Sequence, residues 1–225
     1  MTKSMQEDMN LLSQLILRMG GMVEEATRDA TVALTRRRAD LARRVIASDD
    51  AIDRLELEVD EECLRILALH QPVAGDLRYV TAVLKIDNDL ERIGDLACNV
   101  AERALDLCGR EPLDLPLRFE RMTELVRAQL HDALDALVRR DAGLARAVLA
   151  RDREVNQVHR RHFGLLQEAM KASPAQVEAA VDLLSASRQL ERMGDQTTNI
   201  AEDVVFLVEG RVIRHARPEP PLAPA

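Results

Sequence analysis

The chain is nearly without aromatic residues: 2% of 225, with no Trp, one Tyr and three Phe. That shortage argues against β-sandwiches and barrels, whose half-buried pleated faces favour aromatic and β-branched side chains. It also argues against the stacking platforms that hold single-stranded nucleic acid. No apolar run reaches about 18 residues, the length a membrane-spanning helix needs. The first ten residues, Met1 to Asn10, are polar and lack the apolar stretch of a secretory signal. Cysteine is scarce. Cys63, Cys98 and Cys108 are odd in number and form no CxxC pair, which speaks against a disulfide framework or zinc ribbon and suits reduced thiols in the cytoplasm. No P-loop, GxGxxG, GxSxG or Glu-x-x-His occurs, so nucleotide-loop, serine-hydrolase and ferritin-like di-iron sites have no footing.

What is present is the mixture of long packed helices: 47% hydrophobic and 31% charged residues. The net charge of −8 disfavours broad binding to phosphate backbones, so no nucleic-acid partner is expected. Breaks stand at Gln71-Pro72-Val73-Ala74-Gly75, Gly109 to Pro116, Ser173-Pro174 and from Gly210 on, with weaker ones at Arg37 to Asp40 and Arg140 to Gly143. They predict six helices, over about residues 4–37, 40–70, 75–108, 117–140, 142–171 and 174–209. Helices this long must pack side by side to be stable. Residues 211–225, with four Pro from Pro218 on, read as a disordered tail.

The chain repeats itself. Ala39, Leu41, Arg43, Val45 and Asp49 recur as Ala142, Leu144, Arg146, Val148 and Asp152, and Met19, Val23, Ala30 and Leu34 as Met122, Val126, Ala133 and Leu137, each pair 103 apart. Leu90-Glu91-Arg92-Ile93-Gly94-Asp95 recurs as Leu190-Glu191-Arg192-Met193-Gly194-Asp195. The expected architecture is therefore all-α, a tandem duplication of an antiparallel three-helix bundle over residues 1–110 and 117–210. Ile86, Leu90, Ile93, Ala97, Val100, Ala104 and Leu107 form a core seam with gaps of four and three.

Glu91-x-x-x-Asp95 and Glu191-x-x-x-Asp195 each place two carboxylates one turn apart, a spacing that disfavours a helix by about 0.2–0.5 kcal/mol per pair. Folding helix two back on helix three around Pro72 sets Asp53 opposite Glu91 and Asp49 opposite Asp95. Folding around Ser173-Pro174 sets Asp152 opposite Asp195 and Asn156 opposite Glu191, an amide taking the place of one carboxylate. Four such oxygens without His or Cys are hard-cation chemistry, suited to magnesium, manganese, calcium or ferric iron. The plainer alternative is a solvated acidic face. Glu56, Asp60 and Asp87 become His159, Phe163 and Ser187 in the second copy and are read as surface residues. His159-x-x-His162 is read as incidental. Arg92 and Arg192 are expected to point away from the acids. The basic run Arg36-Arg37-Arg38 with Arg43-Arg44 suits either solvation or contact with acidic partners or anionic lipid.

Leu67-Ala68-Leu69-His70-Gln71-Pro72-Val73-Ala74-Gly75-Asp76-Leu77-Arg78, Asp89 to Asp95 and Gln189 to Asp195 resemble the signature stretches of the PhoU family, accessory regulators of bacterial phosphate-specific transport. The resemblance covers about residues 5–210. It implies paired E(D)xxxD motifs that hold multinuclear clusters of hard cations, iron or Mg, Mn or Zn, at Asp49, Asp53, Glu91 and Asp95 and at Asp152, Asn156, Glu191 and Asp195. It also implies a non-enzymatic cytoplasmic protein, peripheral at the inner face of the plasma membrane, that represses the phosphate-starvation response. Its implied partners are the transporter's ATPase subunit, a two-component sensor histidine kinase and a second copy of itself, as a homodimer. Two other readings follow from the residues alone: a carboxylate-bridged dinuclear metallohydrolase, against which no general base stands beside the acids, and a purely structural helical protein.

Overall fold

The structure, a computed structural model, describes residues 2–213. Most of the expected tail, from residue 214 on, lies outside the described residues. Within them the chain forms six long helices and no strand: α1 (Lys3–Arg36), α2 (Ala39–His70), α3 (Ala74–Cys108), α4 (Phe119–Arg139), α5 (Ala142–Ala172) and α6 (Val177–Glu209), with a 3-10 turn at Pro174–Gln176. No described helix is long and apolar enough to cross a membrane.

Each break has a local cause. Thr2 caps α1 by accepting from the Met5 N–H at 3.3 Å, and Asp141 caps α5 by accepting from the N–H groups of Gly143 and Leu144. The first helix of each repeat ends on an arginine in the left-handed region, Arg37 at φ 52° and Arg140 at φ 52°, where the cap N–H returns to the last carbonyls. Arg37 also donates to the carbonyls of Leu107, Arg110 and Glu111 at the end of α3, and Arg38 pairs with Asp40. Two members of the basic run are thus committed within the chain.

Helices α1, α2 and α3 pack on one another, as do α4, α5 and α6, and the two bundles join along α3 with α6 and α1 with α4. The α3 seam from Ile86 to Leu107 is buried throughout, against Leu12, Ile16, Met19, Ile52 and Ile66. Polar pairs fix the relation of the bundles: Thr31 shares a hydroxyl hydrogen bond with Thr123 at 2.7 Å, Lys85 meets Asp203 at 3.2 Å, and Arg110 pairs with Asp182 and Glu178. Gly20 admits the Leu134 side chain, whose Cδ1 occupies the space a Cβ would need, which lets α1 approach α4 closely.

Candidate functional site

The hairpin α2–α3 brings together the acids that the sequence set opposite each other. Asp49 and Glu91 are half-buried at the rim of the apolar seam, while Asp53 and Asp95 stand further out in solvent. Burial raises the Asp49 carboxyl, and the charges of Asp53, Asp95 and Asp50 add to it, against a hydrogen bond with the Cys98 thiol that lowers it. Glu91 is pushed up to about 7, first by burial, then by Asp95, Glu56 and Asp53. Asp53 of α2 and Glu91 of α3 thus lie within each other's field on one strip. Gly94 makes the approach possible: a Cβ there would sit 3.2 Å from the Ile52 side chain and 3.6 Å from Asp49 Oδ1.

The strip is longer than the motif, and here the sequence reading is corrected. Asp87 is no surface residue; it is 0% exposed. Neither of its oxygens has a hydrogen-bond partner. Burial, then Asp60, Glu56 and Glu91, push it up to about 8. Glu56 and Asp60 are half-buried, and Glu56 is raised by burial and then by Asp60, Asp53 and Asp95. The signal was present: Asp87, Glu91 and Asp95 form an unbroken one-turn ladder, and Glu56 lies three residues beyond Asp53. Its substitution by Ser187 in the second copy concealed the burial of Asp87.

The second strip, on α5 and α6, is built alike and is less charged. Asn156 Nδ2 donates to Asp152 Oδ2 at 2.7 Å, so the amide does part of what a cation would do. Asp152 Oδ1 is buried without a partner. Burial raises Asp152, with Asp195 and Glu191 adding to it; burial and Asp195 raise Glu191, and burial raises Asp195. Gly194 again permits the approach, its absent Cβ lying 3.3 Å from Asp152 Oδ1 and 3.7 Å from Gln129 Oε1. Gln129, from α4, is 2% exposed with both amide atoms unpartnered; hairpin pairing within α5–α6 gave no sign of it.

Against expectation, Arg92 and Arg192 do not turn away from the acids: the charge of Arg92 lowers Glu91, and that of Arg192 lowers Glu191 and Asp195. His159 and His162 do not form a chelating pair: each directs Nδ1 at Ser187 Oγ, at 3.0 Å. Arg92 and Arg192 line a cleft of about 220 Å³ between α3 and α6 with Asp95, Asn99 and Gln196.

The donor set, carboxylate and amide oxygens with two unpartnered and buried beside Gly194, fits a hard cation. In the side-chain positions present, no three His, Cys, Asp or Glu groups among the described residues stand so as to hold a metal ion.

A family model described as the PhoU domain matches residues 16–104 and again 119–204, one match per bundle. The chain is 39% identical over 218 residues to a phosphate-specific transport system accessory protein PhoU homolog of Caulobacter vibrioides, covering 96% of this chain and 95% of that one. It is 40% identical over 202 residues to the homolog of Pseudomonas aeruginosa, covering 89% and 83%. Among solved structures it resembles PhoU from Pseudomonas aeruginosa, with a TM-score of 0.86 at 38% identity over 92% of this chain and 99% of that one. It also resembles the phosphate transport system regulatory protein PhoU from Streptococcus pneumoniae, with a TM-score of 0.83 at 28% identity over 92% and 98%.

Proposed function

From the premise that this chain belongs to the PhoU family, we propose that it is a non-enzymatic accessory regulator of phosphate uptake whose two carboxylate strips take up hard cations. The relatives' names carry the phosphate-transport part of this reading. The cation part rests on one observation: acids of facing helices share a strip, and Glu91 is pushed up to about 7 by burial and like-charged neighbours.

Asp49, Asp53, Glu91 and Asp95 would hold ions on the first strip, joined by Glu56; Asp152, Asn156, Glu191 and Asp195 on the second, joined by Gln129. A bound ion supplies positive charge that neutralises the strip and ties α2 to α3, or α5 to α6. The side chains must rotate inward to close on it, which the exposed positions of Asp53 and Asp95 allow. Stiffened hairpins with charged outer faces are suited to dock on helical partners, and the partners of this reading are the phosphate transporter's ATPase subunit and a sensor histidine kinase, at the inner face of the cytoplasmic membrane, with the protein acting as a dimer.

The test is metal content by mass spectrometry on gently purified protein, together with a phosphate-starvation reporter in a strain lacking the chain. The reading expects bound iron, manganese or magnesium in the wild type, its loss in Glu91→Gln with Asp95→Asn, and derepression of the reporter on deletion. A reporter that stays repressed without the protein refutes the regulatory part. Equal metal content in wild type and variant refutes the cation part.

A further inference from the structure

The two repeats differ most where their first helices begin. Helix α1 has 34 residues and α4 has 21, and the repeat register sets Phe119, the first residue of α4, against Ile16 in the body of α1. The turns that precede Ile16 in the first bundle have no counterpart in the second. Beside the start of α4 a cleft of about 370 Å³ opens between α4 and α5. The matching groove between α1 and α2 measures about 220 Å³.

The charge differs as well. Arg118, Arg121 and Arg161 line the larger cleft, with Glu154 as its one carboxylate and Leu125 and Val158 as apolar wall. In the first bundle Leu15 takes the place of Arg118 and Glu58 that of Arg161. Among the described residues, the Arg118 and Arg161 side chains make no ion pair or hydrogen bond to another side chain; Arg161 makes none at all, and Arg121 has only the long contacts to Glu124 at 3.5 Å and Glu154 at 3.8 Å. Three guanidinium groups thus face one opening in a chain of net charge −8.

The wall behind them is tied to three helices. His162 is 1% exposed. Its Nε2 accepts the Arg118 backbone N–H at 2.8 Å, and its ring lies 4.8 Å from that of Phe119. Since Nε2 accepts, the proton sits on Nδ1, which is directed at Ser187 Oγ on α6. This one ring fixes the start of α4 to both α5 and α6. Arg118 offers α4 no side-chain cap, and the positive end of the helix dipole lies at this edge of the cleft.

We propose that the α4–α5 cleft binds a phosphoryl oxyanion, gripped by Arg118, Arg121 and Arg161. Guanidinium forks match tetrahedral oxyanions by paired hydrogen bonds. The volume falls in the range of small-ligand sites, roughly 300–1,000 Å³, and with Leu125 and Val158 it accommodates more than a bare phosphate. The site lies on α4 and α5 rather than on the acidic strips and does not depend on the cation reading.

Calorimetric titration of the full chain, in EDTA and at low ionic strength, tests it with orthophosphate, pyrophosphate, adenosine monophosphate and, as a charge control, sulfate. The expected result is one-to-one binding of a phosphoryl ligand with Kd below about 1 mM, weakened about tenfold or more by Arg161→Gln and by Arg121→Gln and unaffected by Arg54→Gln in the smaller groove. Orthophosphate binding tightest identifies free phosphate as the ligand; adenosine monophosphate or pyrophosphate binding tighter identifies a phosphorylated metabolite. The proposal is overturned if no phosphoryl ligand binds, if sulfate binds as tightly as all three, or if Arg54→Gln weakens binding as much as Arg161→Gln. Unchanged helical circular dichroism in the arginine variants separates lost binding from lost folding.

Discussion

Asp87 offers the sharpest quantitative test of the electrostatics. It is fully buried, unpartnered and surrounded by Asp60, Glu56 and Glu91. In the unfolded chain it ionises near 3.8, and in the fold near about 8. The folded state therefore binds the extra proton, and stability falls as pH rises from about 4 to about 8. Below that window the contribution is intact; above it the loss is complete. At about 1.36 kcal/mol per pH unit, the cost at neutral pH is on the order of 4 kcal/mol, a large part of a typical domain's 5–15 kcal/mol.

The substitution that isolates this cost is Asp87→Asn, which keeps the shape and removes the charge. Urea unfolding of both proteins in EDTA, at about pH 5 and about pH 7, gives the comparison. Other raised carboxyls, Glu91 and Asp49 among them, lower the wild-type curve in the same direction and are shared by the variant. The wild type is expected to lose about 2–3 kcal/mol more than Asp87→Asn between those pH values. Parallel losses, within about 0.5 kcal/mol, would refute the view that an ionisable acid is trapped without a partner.

Two further perturbations bear on the helix ends and the strips. Arg37 and Arg140 are repeat equivalents held at φ 52°, but only Arg37 bonds the carbonyls that end α3. Arg140 instead lies over the Tyr79 ring at 5.4 Å, so Arg140→Gly trades about 1 kcal/mol of left-handed strain for a cation–π contact of about 0.5–1 kcal/mol and should change stability little, whereas Arg37→Gly should destabilise; equal shifts in the denaturant midpoints of the two variants would contradict this. Gly94→Ala gains about 1 kcal/mol of helix propensity and pushes against Ile52 beside Asp49, so stability should change little. On the cation reading the rise in Tm on adding Mn²⁺ should shrink, and a full response in thermal melts would count against Gly94 as the device that seats Asp49.

Much of this was legible in the sequence because few residues punctuate the chain. Pro72 and Gly210 set helix ends to within a few residues, and a hairpin turned at Pro72 fixes which residues of α2 and α3 oppose each other, so the charge of Asp53 reaches Glu91. At Pro174 the expected helical residues form a 3-10 turn before α6 begins at Val177, closed by the Gln176 N–H donating to the Ser173 carbonyl at 3.1 Å; the proline fits that first position, where an N–H would have no helical partner. Helix α4 begins two residues later than expected, where Leu113 and Leu117 pack on the core ahead of it. Depth was harder to read than register. Hairpin pairing places residues along two helices but not beneath a third, which is why the burial of Asp87 and the arrival of Gln129 from α4 went unseen.

Duplication explains the layout of the strips but not their inequality. Along the first strip stand Asp49, Asp53, Glu56, Asp60, Asp87, Glu91 and Asp95; along the second, acids survive at Asp152, Glu191 and Asp195, while Asn156, His159, Phe163 and Ser187 fill the other matched positions. The second bundle has met its repulsion internally, by an amide donated to Asp152 and by a histidine–serine cluster where the first has a trapped aspartate. Among the described residues the first has acids where the second has that amide and those histidine and serine side chains, and the Cys98 thiol beside Asp49 also donates to the Val45 carbonyl at 3.9 Å. A charge density of that kind is tolerable only with protons or cations supplied from outside. With Glu91 pushed up to about 7 and Asp87 to about 8, protons meet part of it; on the cation reading bound ions meet the rest. The two halves of one fold thus need external charge to different degrees, the first more than the second.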